Sequence, residues 1–292
     1  MEKTGLKSKI ISGVLFAVFF FLSIGLLLYF GTRKPKVIFP AMDKDKPQVL
    51  FLGDSNIDYG FEGTDVTVLL KEKTGMVTYN AGIGGTGAGA INEYSSENDF
   101  LSVLNLGNLT RMMQTRDFSA ALRKRQFLEE SPSGIVNKVT ILEHLDYSAM
   151  DYVIIHYGLN DYATGEAIDD GNKYNQSTYC GGLRYGIEQI HKLCPNAKIV
   201  LSSITYCWSN DVGKNRISGF EWDYGGDTID VYRDGMEKVA DEYEYVYFLD
   251  NLEVMGIDDK NCDDYLRDNM HFNQNGRELY VEGLINLLDE MK

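Results

Sequence analysis

Four short segments of this chain carry the residue types from which covalent ester chemistry can be built. They are Gly53-Asp54-Ser55-Asn56, Asn80-Ala81-Gly82-Ile83-Gly84-Gly85, Gly158-Leu159-Asn160-Asp161 and Asp268-Asn269-Met270-His271. A serine hydroxyl attacks an acyl carbon only when a histidine takes its proton, and the histidine needs a carboxylate to fix its tautomer and orientation. Ser55, His271 and Asp268 can fill these three roles. The tetrahedral intermediate also needs donors aimed at its oxyanion, which a main-chain amide at a glycine turn and a side-chain amide can supply. Gly85 and Asn160 are candidates for that task.

These segments need a scaffold that brings them together, and the hydrophobic pattern describes one. Residues 48–52 form a short apolar run that stops at Gly53, and residues 152–157 form another that stops at Gly158. Both read as buried strands ending where a polar motif begins. In an open parallel sheet, ligands bind outside the carboxyl ends of the strands. Further strands are expected at 76–79, 198–204 and 245–249. They alternate with helices at 64–73, stopped by Gly75, at 179–193, capped by Ser177 or Thr178, and at 230–243, with a last helix at 276–291. This rhythm predicts a parallel sheet of about five strands with both faces covered. Residues 90–147 are an insert whose apolar residues suggest helices separated near residues 115–117 and 131–134. It either covers a sheet face or overhangs the site.

The four blocks in this order resemble those of the SGNH (GDSL-type) hydrolase family, over residues 47–291. The resemblance implies a three-layer α/β/α sandwich, flavodoxin-like, and hydrolysis of small esters. It carries the nucleophile, and one oxyanion amide, onto Ser55. It carries the other donors onto the Gly85 amide and the Asn160 side chain, and the acid and base onto Asp268 and His271. The Gly-x-Ser-x-Gly elbow of the α/β-hydrolases fits less well, because Ile57 stands where that turn needs a small residue. The glycine run from Gly82 to Gly89 matches neither a dinucleotide fingerprint nor a Walker loop, so a nucleotide cofactor is not expected.

Residues 10–30 are an apolar run without a charge, long enough to span a bilayer, and are read as a transmembrane signal anchor that makes membrane lipid a partner. A cleaved signal peptide is the alternative, but no small-x-small site follows Phe30. The anchor follows a short basic terminus, residues 1–9, and precedes a basic tether, residues 31–46. The hydrolase domain then occupies residues 47–292. Both flanks are basic, so the positive-inside rule does not decide the orientation, and a slight excess after the span favours a cytoplasmic domain. The lysine-bearing terminus and the family resemblance favour an extracytoplasmic one, which is the reading adopted. The chain has 28 basic and 43 acidic residues, a net charge of −15. Residues 1–46 hold eight of the basic and three of the acidic ones, which leaves the remainder at −20. A domain of that charge repels polyanions, so nucleic acid is not an expected partner.

Cys180, Cys194, Cys207 and Cys262 lack metal-ligand spacing, so no metal site is expected, and buried free thiols are preferred over disulfides. The long loop at 205–227 holds Tyr206, Trp208 and Trp222, which could stack on substrate or pin the loop to the surface. The expected activity is removal of acetyl or another short acyl group from a surface carbohydrate by a membrane-anchored esterase. Acyl transfer to a glycan hydroxyl would use the same acyl-enzyme. A non-catalytic glycan-binding module on a hydrolase scaffold is the alternative from another class, and the intact set of Ser55, Asn160, Asp268 and His271 argues against it.

Overall fold

The structure is a computed structural model, and it describes residues 43–58, 63–89, 103–122 and 134–292. The expected anchor at 10–30 and most of the tether lie outside the described residues, as do parts of the insert. Among the described residues, no helix is long and apolar enough to cross a membrane.

Five parallel strands form the sheet: β1 (Gln48–Gly53), β2 (Val77–Asn80), β3 (Tyr152–His156), β4 (Lys198–Ser202) and, later in the chain, β7 (Val246–Leu249). Their spatial order is β2-β1-β3-β4-β7. All of β1 and β3 is buried, as expected for central strands covered on both faces. The order reverses between β1 and β3, which pair from Val49↔Tyr152 to Gly53↔His156. A crevice opens at such a switch point, beyond the carboxyl ends of the two strands. Ser55 follows one of these strands and Asn160 follows the other.

The main helices are α1 (Ser55–Asp58), α2 (Val66–Thr74), α3 (Leu106–Thr115), α4 (Ile135–His144), α5 (Leu159–Ala163), α6 (Tyr179–Leu193), α7 (Ile229–Ala240) and α8 (Gln274–Glu290). Helix α2 packs on α8, while α6 packs on both α3 and α7. Several limits follow from capping chemistry. The Asp65 carboxylate accepts from the Thr67 and Val68 amides at the start of α2, and Gly75 ends that helix with φ 75°. Thr178 caps α6 and Asn273 caps α8. Helix α3 ends at Arg116, with φ 56°, where the sequence predicts a break.

The loop expected at 205–227 contains an antiparallel hairpin, β5 (Trp208–Asn210) and β6 (Arg216–Ser218). Its strands are three residues long and mostly polar, too short for an alternating pattern to register. A local turn closes it instead: the Asn215 amide donates to the Asp211 carboxylate at 2.7 Å. All four cysteines are buried free thiols.

Candidate active site

Ser55 opens α1 immediately after β1. The Asp54 amide donates to the His156 carbonyl of β3, and one Asp54 carboxylate oxygen accepts from the Asn56 amide at 3.0 Å, so the turn is closed on both sides. The Ser55 main-chain N–H lies in the first turn of α1, where helical amides lack partners within the helix.

His271 reaches this turn from the far end of the chain. Its Nε2 lies 2.9 Å from Ser55 Oγ. Its Nδ1 lies 3.0 and 2.9 Å from the two carboxylate oxygens of Asp268. The same carboxylate accepts from the His271 amide at 2.8 Å and the Met270 amide at 3.0 Å, which makes the Asp-x-x-His segment a self-bracing loop. Burial alone would raise the Asp268 carboxyl, but those two amides and the imidazole outweigh it and hold the group below the usual carboxylate range. Proton transfer from Ser55 to Nε2 therefore meets an ionised, oriented partner on the opposite ring nitrogen.

Asn56 joins the two halves of the site, a role the sequence does not announce. Its Nδ2 donates to the Met270 carbonyl at 3.2 Å and its Oδ1 accepts from the Phe272 amide at 3.0 Å. The residue after the nucleophile thus grips the main chain on either side of His271. No short-range spacing could have disclosed this, since the partners are 214 and 216 residues away.

The glycine loop after β2 lies against α1. Ile83 donates to the Gly53 carbonyl at 2.7 Å, and a Cβ on Gly82 would stand 2.8 Å from Ile57 side-chain atoms and 2.9 Å from the Asp58 nitrogen. Only glycine allows that approach. Gly85 turns the chain with φ 79°. One residue on, the Thr86 carbonyl accepts from Asn160 Nδ2 at 2.9 Å. A carboxamide nitrogen has two hydrogens, so this bond orients Asn160 and leaves one hydrogen for a ligand. The main chain at Gly85 and the side chain of Asn160 are thereby brought to one edge of the sheet with Ser55.

Of the aromatic residues expected to contact substrate, Tyr206 requires correction. It is buried, and its hydroxyl is bonded to Asp259, so it packs in the interior. Trp208 and Trp222 are partly exposed and brace the site. The Trp208 amide donates to the Asn269 carbonyl, and Asn269 Nδ2 donates to the Trp208 carbonyl, each at 3.0 Å. The Trp222 carbonyl accepts from the Tyr162 hydroxyl at 2.7 Å. The loop at 205–227 consequently ties the histidine segment to the helix that carries Asn160. His156, read as a core residue, is buried with Nδ1 3.1 Å from Ser202 Oγ.

Two carboxyl groups lie behind the site. Asp161 accepts from the Ala88 and Gly89 amides, at 3.1 and 2.7 Å, and secures the glycine loop to α5. Burial pushes Asp161 up to about 6, against the opposing effect of those amides. Asp54 is pushed up to about 7 by burial, with the Asn56 amide opposing and the Asp161 charge adding to the rise. A carboxyl raised in the fold contributes stability that is complete below its unfolded pKa, about 4, and lost as pH rises through its folded pKa. Asp54→Asn keeps the oxygen that accepts from Asn56 and cannot ionise. Its melting temperature relative to the wild type should climb between pH 4 and pH 8, by on the order of 5 °C. A difference that stays flat over that interval would mean that Asp54 does not enter the fold as a neutral group.

The family model for GDSL-like lipases and acylhydrolases matches residues 51–279, from the nucleophile strand to the last helix. The chain belongs to this family. It is therefore a hydrolase of the GDSL/SGNH type, and its central parallel sheet agrees with that membership. Among solved structures, this GDSL-like hydrolase is similar to a protein from Lactobacillus plantarum at 16% identity and a TM-score of 0.57, with 84% of this chain and 97% of the other covered. It is also similar to a possible lipase from Chitinophaga pinensis at 14% identity and a TM-score of 0.54, covering 84% and 98%. At such identities the likeness concerns the fold. No curated protein matches the chain by sequence.

Among the described residues, no cluster of three or more His, Cys, Asp or Glu side chains could hold a metal ion.

Proposed function

We propose that this GDSL-like hydrolase is a membrane-anchored serine esterase that removes short acyl groups, acetyl foremost, from a cell-surface carbohydrate. The observation that carries the reading is the relay from Ser55 Oγ through His271 to Asp268, with 2.9 Å at the first contact and 2.9 to 3.0 Å at the second. Ser55 attacks the acyl carbon and His271 takes its proton. The Ser55 and Gly85 amides and Asn160 Nδ2 receive the oxyanion. His271 then returns the proton to the departing alcohol oxygen, and water activated by the same imidazole releases the acid.

The anchoring half of the proposal rests on the sequence. An uncharged apolar run at 10–30 and a tether ending at residue 46 would keep the domain close to a bilayer. The strongly acidic remainder suits a neutral, acylated glycan better than a polyanion. The test uses the full-length chain in mild detergent with p-nitrophenyl esters of increasing acyl length. Turnover should be highest for acetate and fall steadily with chain length. Acetate should also be released from acetylated polysaccharide. A preference for long acyl chains would overturn the short-acyl reading. Protease added to intact cells should digest the domain; protection until the cells are broken would place it on the cytoplasmic side.

A further inference from the structure

Helix α4, within the insert, sends one side chain towards the site. Lys138 is buried, and its ammonium is in ion-pair contact with the Asp58 carboxylate at the end of α1. It also donates to the Gly82 carbonyl at 2.6 Å and the Asp58 carbonyl at 3.2 Å, with Asn80 Oδ1 at 3.4 Å. The other Asp58 oxygen accepts from the Gly84 amide at 2.8 Å. The pair therefore holds the glycine loop from both sides of one peptide segment, by the carbonyl of Gly82 and the N–H of Gly84. Gly85 comes next.

Resting on the esterase reading above, we propose that Lys138 and Asp58 are positioning residues that set the Gly85 amide for the oxyanion. Two features favour positioning over general support of the fold. Asp58 lies three residues after the nucleophile, so the pair connects the attacking group directly to the loop that answers the charge it creates. The two shortest contacts on the loop, to the Gly82 carbonyl and from the Gly84 amide, are also made to main-chain groups, which fixes the direction of the two peptide planes that precede that of Gly85. The Gly85 N–H lies in the peptide plane that joins it to Gly84, a glycine with wide freedom of rotation, so holding the plane just before Gly84 limits where that N–H can point. Preorganised donors act only when already aimed at the developing charge.

The ammonium belongs to a helix that neither the nucleophile block nor the glycine block supplies. This gives the insert at 90–147 a task in the reaction beyond covering the sheet.

The test compares the wild type with Lys138→Met, Lys138→Arg and the charge-neutral double variant Asp58→Asn/Lys138→Met, using p-nitrophenyl acetate. Loss of one oxyanion donor lowers kcat by about 10²–10³-fold. Lys138→Met should approach the lower figure, about 10²-fold, with KM within about twofold of the wild type. Affinity for a trifluoromethyl ketone, which forms the tetrahedral adduct, should fall in parallel. Lys138→Arg should recover part of the rate, because it restores the charge and the donor. If Lys138→Met fails to fold for want of a partner to Asp58, the double variant, which leaves no buried charge unpaired, decides the matter. A folded variant of either kind with wild-type kcat would overturn the proposal, as would a double variant that cannot fold, which would make the pair a support of the fold. The esterase reading fails separately: it falls if the wild type has no Ser55-dependent activity, whatever the Lys138 variants do.

Discussion

Ser55→Ala should abolish turnover of an activated acetate ester and leave the fold in place. The hydroxyl makes one contact of consequence, the 2.9 Å contact with His271 Nε2. The turn around it is closed by main-chain and Asp54 bonds that alanine leaves intact. Removal of a nucleophile from a serine relay costs on the order of 10⁶ in kcat, with a small residue of catalysis left to the oxyanion donors and binding. The melting temperature should stay within about 2 °C of the wild type. A fluorophosphonate should label the wild type at Ser55 and leave the variant unlabelled. Retained hydrolysis in a well-folded Ser55→Ala preparation would remove the nucleophile assignment and with it the proposed mechanism.

The second large effect is expected at Asp268. Asp268→Asn retains an oxygen that can accept from the Met270 and His271 amides, so the loop should survive. The carboxamide cannot hold the imidazole as a carboxylate does, and it offers no charge to the imidazolium formed during attack. A fall in kcat on the order of 10³–10⁴ follows, with little change in KM. In the wild type, against the opposing effect of burial, the His271 and Met270 amides and the imidazole hold the Asp268 carboxyl below the usual carboxylate range. An Asp268→Asn enzyme within about tenfold of wild-type kcat would show that His271 is oriented by its main-chain grip alone.

Much of this site was legible because the chemistry-bearing residues sit at element ends, where sequence signals are strong. Gly53 ends one buried strand and Gly158 lies two residues beyond the end of another, and the order of those strands in the sheet brings Ser55 and Asn160 to the same crevice. Asp268 and His271 are three apart, close enough for their pairing to be a local matter. Helix limits are clear at Gly75 and Thr178, whereas the caps at Asp65 and Asn273 start their helices at Val66 and Gln274, two residues away from the expected starts at 64 and 276. The residues that hold the site together were not legible. Asn56, Asp58 and Lys138 act through partners far away in sequence, and nothing in the local pattern distinguishes them from ordinary polar residues of a turn and a helix. The hairpin at 208–218 was hidden for another reason: its strands are too short to show a period. Tyr206 is ambiguous in the sequence because an aromatic residue in a long loop can either stack on a ligand or be covered by the fold, and here the side chain is buried with its hydroxyl bonded to Asp259.

The grip of Asn56 on the main chain around His271 also bears on biosynthesis. Nucleophile and base are separated by 216 residues, so a ribosome making about 5–20 residues per second needs roughly 10–40 s to follow one with the other. Throughout that interval the serine is an ordinary alcohol. The base arrives with the segment just ahead of α8, and the two Asn56 bonds that clasp it join groups made at opposite ends of that interval. The nucleophile therefore gains its base only after residue 271 has been made, and a nascent chain shorter than that cannot cleave the esters around it.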